Sequence, residues 1–538
     1  MHRNFTYNKI KTSLKLLLIE NKWAIPIIIA GVLARIILAG QIPPGLNQDE
    51  ASIGYDAYSI MKYGIDRNGI SNPIHLIAWG SGQNALYAYL AIPFIALFGL
   101  NVLSIRAVNI FFGIISLIIF FLLAKNITNK RMALISLFLL AISPWHIMAS
   151  RWALESNLFP AFMLLSVYFI ALSLKKPWFL PASALLFALS LYAYGTSYFA
   201  IPVFLALVLP YLAYHRKLKI TPFLLAAAVF TLVALPIFLF VIINNFQLET
   251  IKIWFISVPR LTGPARFSAI SSVFSRDFIS STLRNIANFI RLVVLQSDVL
   301  MWNSIPGFGY IYLFSLPFIF IGVWNAAKSL KENKSQYIML AWLAASVLTA
   351  FITEININRI NIIFIPLIYF TALGIDAIFK NHKKAFISLL VVYITSFLTF
   401  CGVYFTIYSD SVGPQFFESL GSAIKYASEA TDGTVYITDS INMPYIYVLF
   451  YTKTDPYTFL NTVEYLNPGD AFQQVASFGR YRFGPVNLNS SDRSIVSSNT
   501  AYILENNELD EFFKSNKLNK DDYLQKAFKN YTVVSKRK

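Results

Sequence analysis

Long apolar runs recur along this chain, and eleven of them are long enough to cross a lipid bilayer. A helix needs about 20 mostly apolar residues to span the hydrocarbon core. Hydrophobic residues make up 56% of the 538 residues and charged residues only 13%, which excludes a soluble fold with ordinary cores. We therefore predict a polytopic α-helical membrane protein. The predicted crossings are 23–40, 103–124, 132–150, 156–174, 179–194, 197–214, 221–243, 308–327, 337–353, 360–379 and 385–408.

The distribution of positive charge predicts the orientation of these helices. The formal net charge is +17, and Lys and Arg cluster in short loops such as 125–131, 215–219 and 380–384, as is typical of cytoplasmic loops. An aromatic-rich run at 83–99 is shorter than the others and contains Pro93. If this run crossed the membrane, every later basic loop would face outward. We therefore predict that 83–99 is a helix lying in the outer interface and that the N-terminus is cytoplasmic.

This topology places three main loops on the extracytoplasmic side, together with two short ones at 195–196 and 354–359. The main loops are 41–102, with two helical pieces, 151–156 and 244–307. Within the last loop, apolar residues at helical spacing predict that 281–296 lies along the membrane. The basic segment 1–22 lacks a following small-residue cleavage site, so we expect the first apolar run to remain as an anchor.

The chain after residue 408 differs in composition from the preceding transmembrane domain, 1–408. We predict that residues 409–538 form a small extracytoplasmic α/β domain, and they contain no catalytic motif. Its predicted strands are 434–440 and 500–506, and its predicted helices are 415–430 and 507–517.

Charged side chains gather at the predicted outer ends of the crossings. Charges near a bilayer are costly unless they are paired or hydrated, so each is a candidate functional residue. Carboxylates beside guanidiniums are typical of an anion-binding site with a base. The candidate carboxylates are Asp49, Glu50 and Glu155, and the candidate guanidinium cations are Arg35, Arg106, Arg151 and Arg359.

Each candidate also has a structural interpretation. Asp49 can be the N-cap of the following helix, with Glu50 as an acid of its first turn. Arg35 can extend to the outer headgroups, and Arg106 and Arg359 can anchor helices at the interface.

Other motifs favour structural roles. His146, in SPWHIMASRW, is predicted to be a packed aromatic residue. The sequence has no HExxH motif and no Gly-rich phosphate loop. Cys401 is the only cysteine, so no internal disulfide can form. The basic runs are topology signals, which excludes nucleic acid as a partner.

Four segments together resemble the bacterial branch of the protein-mannosyltransferase family. In order, they are PPGLNQDEASIGYDAYSIMKYGIDRNG, NALYAYLAIPFIALFGLNVLSIRAVN, LAISPWHIMASRWALESNLFPAF and INRINIIFIPLIYFTALG. The sequence is also similar, more distantly, to the lipid A aminoarabinose transferases. Both are glycosyltransferases of the GT-C class that depend on polyprenyl phosphates. The resemblance covers about residues 20–410.

The resemblance implies roles for four residues. Asp49 would be the catalytic base or an acceptor-positioning group, and Glu155 would support it. Arg106 and Arg359 would bind the lipid phosphate, and Glu50, Arg151 and Arg35 are grouped with them as substrate-binding candidates. Two features depart from the relatives: WGSGQ replaces the segment in which aminoarabinose transferases carry a Lys, and the loop 244–307 is too short for the β-trefoil of the eukaryotic enzymes.

These residue types suit transfer of a sugar from a polyprenyl phosphate. A carboxylate can take the proton of an acceptor hydroxyl, and Arg side chains bind phosphate oxygens through forked donors. No cofactor is required, although a divalent cation is compatible with the chemistry. The expected partners are a polyprenyl-phosphate-linked sugar, membrane lipid and an acceptor protein, glycan or lipid. The lipid tail would lie between crossings, with 83–99 at the rim. The resemblance further implies that the anomeric configuration inverts.

Two other functions are compatible with the same pattern. A transporter or flippase of an anionic lipid-linked sugar would use similar outer charges. It would also need polar groups along a path through the membrane, and most crossings lack them. A non-catalytic assembly factor would use the C-terminal domain to bind a cell-surface polymer.

Overall fold

The protein is described by a computed structural model at residues 22–298, 300–484 and 499–537. Its chain forms a bundle of apolar helices followed by a C-terminal region that is built on a mixed β-sheet. The helical membrane fold predicted from the apolar runs is confirmed. Except for Lys22, the basic N-terminal segment 1–22 lies outside the described residues.

Each of the eleven predicted crossings contains an α-helix in the structure, although 132–150 is divided between two helices and the α-helix in 308–327 begins at Leu316. Within the described residues, eight helices are long and apolar enough to span a bilayer, and one of them, α12, is the segment predicted to lie along the membrane. Its orientation stays a prediction. The helices up to residue 405 are α1 (Ala24–Ile36), α2 (Gln48–Tyr63), α3 (Leu86–Phe98), α4 (Val102–Ile127), α5 (Lys130–Ala141), α6 (Pro144–Ala149), α7 (Phe159–Ser173), α8 (Leu180–Ser190), α9 (Ser197–Tyr214), α10 (Ile220–Phe246), α11 (Arg266–Ala269), α12 (Phe278–Leu295), α13 (Leu316–Lys328), α14 (Gln336–Phe351), α15 (Phe364–Phe379) and α16 (Lys383–Phe405).

Close packing of helices in the bundle depends on glycines. A Cβ atom on Gly322 of α13 would lie 1.9 Å from the carbonyl oxygen of Phe370 in α15, and one on Gly374 would lie 2.0 Å from that of Phe318. Small residues let helix backbones approach closely in a membrane. This contact fixes α15, and the residues just before α15 include Arg359.

The loops that carry the candidate residues lie together on one side of the bundle, here called the loop face. The two helical pieces predicted in 41–102 are confirmed as α2 and α3, and α3, with 13 residues, is shorter than a bilayer-spanning helix. Between them, β1 (His75–Leu76) pairs with β2 (Gln83–Asn84). A hairpin of β3 (Ile251–Ile253) and β4 (Ile256–Val258) joins this loop, because the amide of Ile74 donates to the carbonyl of Ser257 at 3.0 Å.

The C-terminal region contains a seven-stranded sheet with the strand order β10-β11-β9-β5-β8-β7-β6. β5 is parallel to both of its neighbours, β8 and β9, and the other pairs are antiparallel. The strands and helices predicted here are confirmed, with shorter bounds. The elements are α17 (Ile407–Val412), α18 (Leu420–Ala430), β5 (Thr434–Ile437), α19 (Pro444–Thr452), α20 (Pro456–Thr462), β6 (Glu464–Tyr465), β7 (Val475–Phe478), β8 (Tyr481–Phe483), β9 (Thr500–Glu505), α21 (Leu509–Ser515), β10 (Tyr523–Ala527) and β11 (Tyr531–Lys536).

The C-terminal region packs directly on α2. The Tyr55 hydroxyl donates to the Thr454 carbonyl at 2.8 Å, and Lys62 forms a salt bridge with Asp455 at 2.6 Å. At Gly54, an added Cβ atom would lie 2.8 Å from the ring of Phe450 in α19. The helix that carries Asp49 is therefore held between the bundle and the C-terminal region.

Candidate active site

The first turn of α2 leaves the carboxylate of Asp49 free of a capping role. Asn47 is the N-cap, and its side chain accepts from the Asp49 amide at 3.0 Å. Glu50 completes a capping box by accepting from the Asn47 amide at 3.1 Å. The interpretation of Asp49 as the N-cap is therefore wrong, while that of Glu50 as a first-turn acid is confirmed.

Glu50 and Arg106 form a closed, fully buried ion pair. Nε and Nη2 of Arg106 donate to the two oxygens of Glu50 at 2.8 and 2.9 Å. The remaining guanidinium hydrogens reach the carbonyls of Ala39, Pro43 and Gly45. A guanidinium has five N–H donors, and all five are engaged. Arg106 thus has no free donor for a lipid phosphate in this structure.

The same pair positions the second predicted acid. The amide of Ala153 donates to Glu50 at 2.7 Å, and the Asn109 side chain donates to the carbonyls of Trp152 and Leu154. These bonds fix the segment before Glu155, which opens a 3₁₀ turn leading into α7. Glu155 is buried, and its Oε2 atom has no hydrogen-bond partner among the described residues.

The charges around Asp49 differ from those around the adjacent Glu50. It interacts with Arg266, Glu50, Trp79 and Arg67, and it forms no salt bridge within the described part of the chain. Burial raises the pKa of Asp49 above its ordinary value, and Glu50 adds to this effect, whereas Arg266, Trp79 and Arg67 oppose it. A carboxylate with a raised pKa beside a cation is typical of a general base.

Arg266 is a residue of this site that no sequence pattern indicated. It interacts with Asp49, Glu155 and Tyr194, and its buried Nε atom has no hydrogen-bond partner among the described residues. Its amide donates to the carbonyl of Ser81 at 3.0 Å, which joins α11 to the WGSG turn of the first loop. Arg266 thus links the two acids with donor capacity to spare.

Arg359 reaches the same place from the loop that precedes α15. It interacts with the Tyr194 side chain, and its Nη1 atom donates to Glu354 at 2.5 Å. Tyr194 therefore lies between two guanidiniums. The structure brings together Asp49, Glu155 and Arg359 of the predicted residues, with Arg266 and Tyr194 added.

Arg35 is buried within the bundle. Its guanidinium donates to the carbonyls of Gly31, Leu140 and Ala141, and Nη2 lies 2.5 Å from Nδ1 of His146. The interpretation that Arg35 extends to the headgroups is therefore wrong, because backbone carbonyls solvate its charge inside the protein. The interpretation of His146 as a packed aromatic residue is confirmed by its edge contact with the Trp145 ring.

Arg151 also has structural partners. It donates to the carbonyls of Ala34 and Ile42 and to the Tyr404 hydroxyl, and its guanidinium lies over the Phe405 ring. These contacts fix the first crossing against the last helix of the bundle. Among the described residues, no group of three or more His, Cys, Asp or Glu side chains is arranged to hold a metal ion.

A second buried ion pair lies next to the candidate active site. Arg67 forms a salt bridge with Asp56 at 2.6 Å and donates to the Ser52 hydroxyl at the same distance. Its guanidinium lies 5.1 Å from the centre of the Trp79 ring. Because Trp79 also interacts with Asp49, the pair fixes one wall of the site.

Comparison with protein-family models supports the predicted resemblance. Residues 84–243 match the family model described as dolichyl-phosphate-mannose-protein mannosyltransferase. Comparison with curated protein sequences gives no match. The resemblance predicted from the sequence is thus confirmed over this segment.

Solved structures of the GT-C class share the fold. ArnT from Cupriavidus metallidurans bound to undecaprenyl phosphate matches with a TM-score of 0.58 at 11% identity, over 96% of this chain and 98% of that one. Its apo state matches with a TM-score of 0.56 at 12% identity, over 95% and 97%. The Archaeoglobus fulgidus oligosaccharyltransferase complex with Zn and sulfate matches with a TM-score of 0.50 at 14% identity, over 80% of this chain and 61% of that one. The chain therefore has the GT-C fold.

Proposed function

We propose that this GT-C chain is an integral-membrane glycosyltransferase that moves a sugar from a polyprenyl phosphate to an acceptor hydroxyl. The proposal rests on one observation: Arg266 interacts with both Asp49 and Glu155, and its buried Nε atom has no hydrogen-bond partner among the described residues. An anionic ligand at Arg266 would lie beside a carboxylate that forms no salt bridge among the described residues. This is the arrangement that transfer from a phosphate leaving group requires.

The reaction assigns a distinct role to each group. The acceptor oxygen forms a bond to the anomeric carbon and gives its proton to Asp49. The bond from that carbon to the phosphate oxygen breaks, and the electron pair leaves with the polyprenyl phosphate. Arg266 and Arg359 neutralise the charge that develops on this phosphate. Glu155 orients Arg266, and the anomeric configuration inverts.

In the proposed reaction, binding of the donor phosphate would also change the pKa of Asp49. The charge of Arg266 lowers the pKa of Asp49 and opposes the effect of burial. A lipid phosphate at Arg266 would screen this charge. Proton transfer to Asp49 would then become more favourable as negative charge develops on the leaving group.

The remaining predicted residues have positioning roles in this proposal. The Glu50–Arg106 pair holds the two acidic segments at a fixed separation, because it bonds to both of them. Arg35 and Arg151 fix α1 against the bundle through backbone carbonyls. A role for these four residues in direct substrate binding is not part of the proposal.

An apolar cavity gives the lipid tail a place between crossings. Its volume is about 200 Å³, and it lies among α7, α8, α9 and α10, with Phe187, Leu205 and Phe230 in its wall. α9 begins at Ser197, three residues after Tyr194. A polyprenyl chain with its phosphate at Arg266 would run along α9 into this cavity. α3 would form the rim at the membrane surface.

The orientation of the chain is part of the proposal. The basic loop 125–131 connects α4 to α5 at the end of the bundle opposite the loop face, which is the arrangement expected of a cytoplasmic loop. The loop face and the C-terminal region would then be extracytoplasmic. Transfer would take place on the outer side of the cell membrane.

A release assay tests the proposed reaction. The purified protein is placed in liposomes with undecaprenyl-phosphate-linked hexoses, offered one at a time, and an extract of cell-envelope acceptors. We expect acceptor-dependent release of undecaprenyl phosphate from at least one donor, measured by mass spectrometry. Movement of the intact sugar lipid between leaflets, without cleavage of any donor, would favour the flippase and contradict the proposal.

A further inference from the structure

A cleft in the C-terminal region lies at the carboxyl ends of the parallel strands β5 and β8. Its volume is about 290 Å³, and we call it the C-terminal cleft. Its polar and aromatic lining consists of Asp439, Asn442, Tyr445, Gln474 and Phe483. Ligands of open α/β sheets typically bind at the carboxyl ends of parallel strands, because the loops diverge there.

The cleft is joined directly to the candidate active site. The Asn442 side chain donates to that of Gln48, the residue immediately before Asp49. Tyr445, which also lines the cleft, interacts with Arg67, and its ring centre lies 6.5 Å from that of Trp79. A ligand in the C-terminal cleft would therefore have one end next to the proposed base.

The lining of the cleft has the chemistry of a carbohydrate site. One carboxylate and two primary amides offer acceptors and donors to neighbouring hydroxyls, and the rings of Tyr445 and Phe483 offer flat apolar surface. Small-molecule sites usually measure about 300–1,000 Å³. The cleft, at about 290 Å³, lies just below this range, so it suits the end of a sugar chain.

The same cleft is poorly suited to an extended peptide. Peptides bind sheets most simply by pairing with a free strand edge. β5 is paired with β8 and β9, and β8 is paired with β5 and β7, so neither strand at the cleft has a free edge. Recognition there must come from side chains, which favours a polyhydroxylated ligand.

We propose that the C-terminal cleft binds the acceptor, that this acceptor is the end of a carbohydrate chain, and that one of its hydroxyls is directed toward Asp49. The reaction of that hydroxyl rests on the proposed function, whereas its binding in the cleft does not. Asp439, Asn442 and Gln474 bind the sugar, and Tyr445 packs against its apolar face.

Saturation-transfer NMR on the full-length protein in nanodiscs tests the binding without catalysis. The probes are methyl α-mannopyranoside, methyl β-glucopyranoside and maltotriose, and a Ser/Thr-containing hexapeptide is the comparison. We expect at least one saccharide to bind and its affinity to fall about tenfold in Asn442→Ala and Gln474→Ala. Asp432→Asn is the matched control, because this exposed acid precedes β5 at the opposite end of the strand.

Equal saccharide affinity in the wild type and in both cleft variants would overturn the proposal, as would binding of the hexapeptide alone. In turnover assays, the same variants should raise KM for a saccharide acceptor about tenfold and leave KM for the lipid donor unchanged. A rise in the donor KM alone would also contradict the cleft assignment. If no donor is cleaved at all, the proposed function fails, while the NMR result still decides whether the cleft binds sugar.

Discussion

Asp49 and Glu50 are adjacent acids with opposite environments. Glu50 accepts from Arg106, from the Ala153 amide and from the Asn47 amide, so its charge is fully compensated. Asp49 forms no salt bridge among the described residues and interacts with Arg266, which retains an unpartnered donor. The comparison shows that two adjacent residues in one helix turn can serve different ends: the carboxylate in a buried ion pair stabilises the fold, and its neighbour, which forms no salt bridge among the described residues, can react.

The largest expected effect is a loss of transfer activity, without a loss of stability, when Asp49 is substituted. We expect Asp49→Asn to lower transfer by about 10²–10⁴-fold, because it removes the general base. Donor binding and the melting temperature should change little, since Asp49 neither caps α2 nor forms a salt bridge within the described residues. Turnover by purified enzyme in donor-supplied liposomes measures the transfer activity, and thermal melting measures the stability. Wild-type turnover in Asp49→Asn would remove Asp49 from the role of base.

The closed pair should respond in the opposite way. Glu50→Gln and Arg106→Met each leave a buried partner uncompensated, which typically costs about 3–5 kcal/mol. We expect a marked fall in the melting temperature of each variant in detergent. The double variant Glu50→Leu/Arg106→Leu should lose less than the sum of the single changes, since it buries no unpaired charge. Additive losses would mean that the two residues act independently and would break the comparison.

The sequence predicted some of these helices and site residues but not others. Apolar runs predicted the helices of the eleven crossings, because membrane insertion is decided by about 20 consecutive residues, whereas the short α11 was not predicted. Asp49 and Glu155 were found because charges beside apolar runs are conspicuous. Arg266 was not found, since it lies in the long loop 244–307, where charged residues are ordinary. Its position depends on a backbone bond to Ser81, and such a contact between distant loops leaves no local pattern.

For the same reason, the sequence alone could not distinguish the role of Arg106 from that of Arg359. From the sequence, Arg106 and Arg359 were equivalent candidates for phosphate binding. Only the tertiary structure shows that Arg106 is enclosed by Glu50 and three backbone carbonyls, whereas Arg359 reaches Tyr194. The type of residue was predictable, but its partner was not.

The two arginines at Tyr194 should differ in their effect on donor binding. We expect Arg266→Ala to raise KM for the lipid donor about 10–100-fold, because charge-assisted hydrogen bonds are worth about 1.5–3 kcal/mol. Arg359→Ala should have a smaller effect, of roughly threefold to tenfold, since Arg359 is already paired with Glu354. Arg260→Ala, an exposed arginine of the same loop, is the matched control. A larger effect at Arg359 than at Arg266 would reverse the assignment of the principal phosphate ligand.

The smallest effect is a displacement of the pH profile, and it tests the coupling between Asp49 and Arg266. Asp49 acts as a base only when it is ionised, so kcat/KM should rise with pH through the pKa of Asp49 in the free enzyme. Burial raises this pKa, which places the acid limb above the range of an exposed aspartate. Arg266 lowers the same pKa, so Arg266→Ala should move the acid limb to higher pH, and Arg260→Ala should leave it in place. The limb is measured as kcat/KM against pH at low donor concentration. A limb that moved to lower pH in Arg266→Ala would show that another group controls ionisation, and an unmoved limb would show that Arg266 and Asp49 do not share the site.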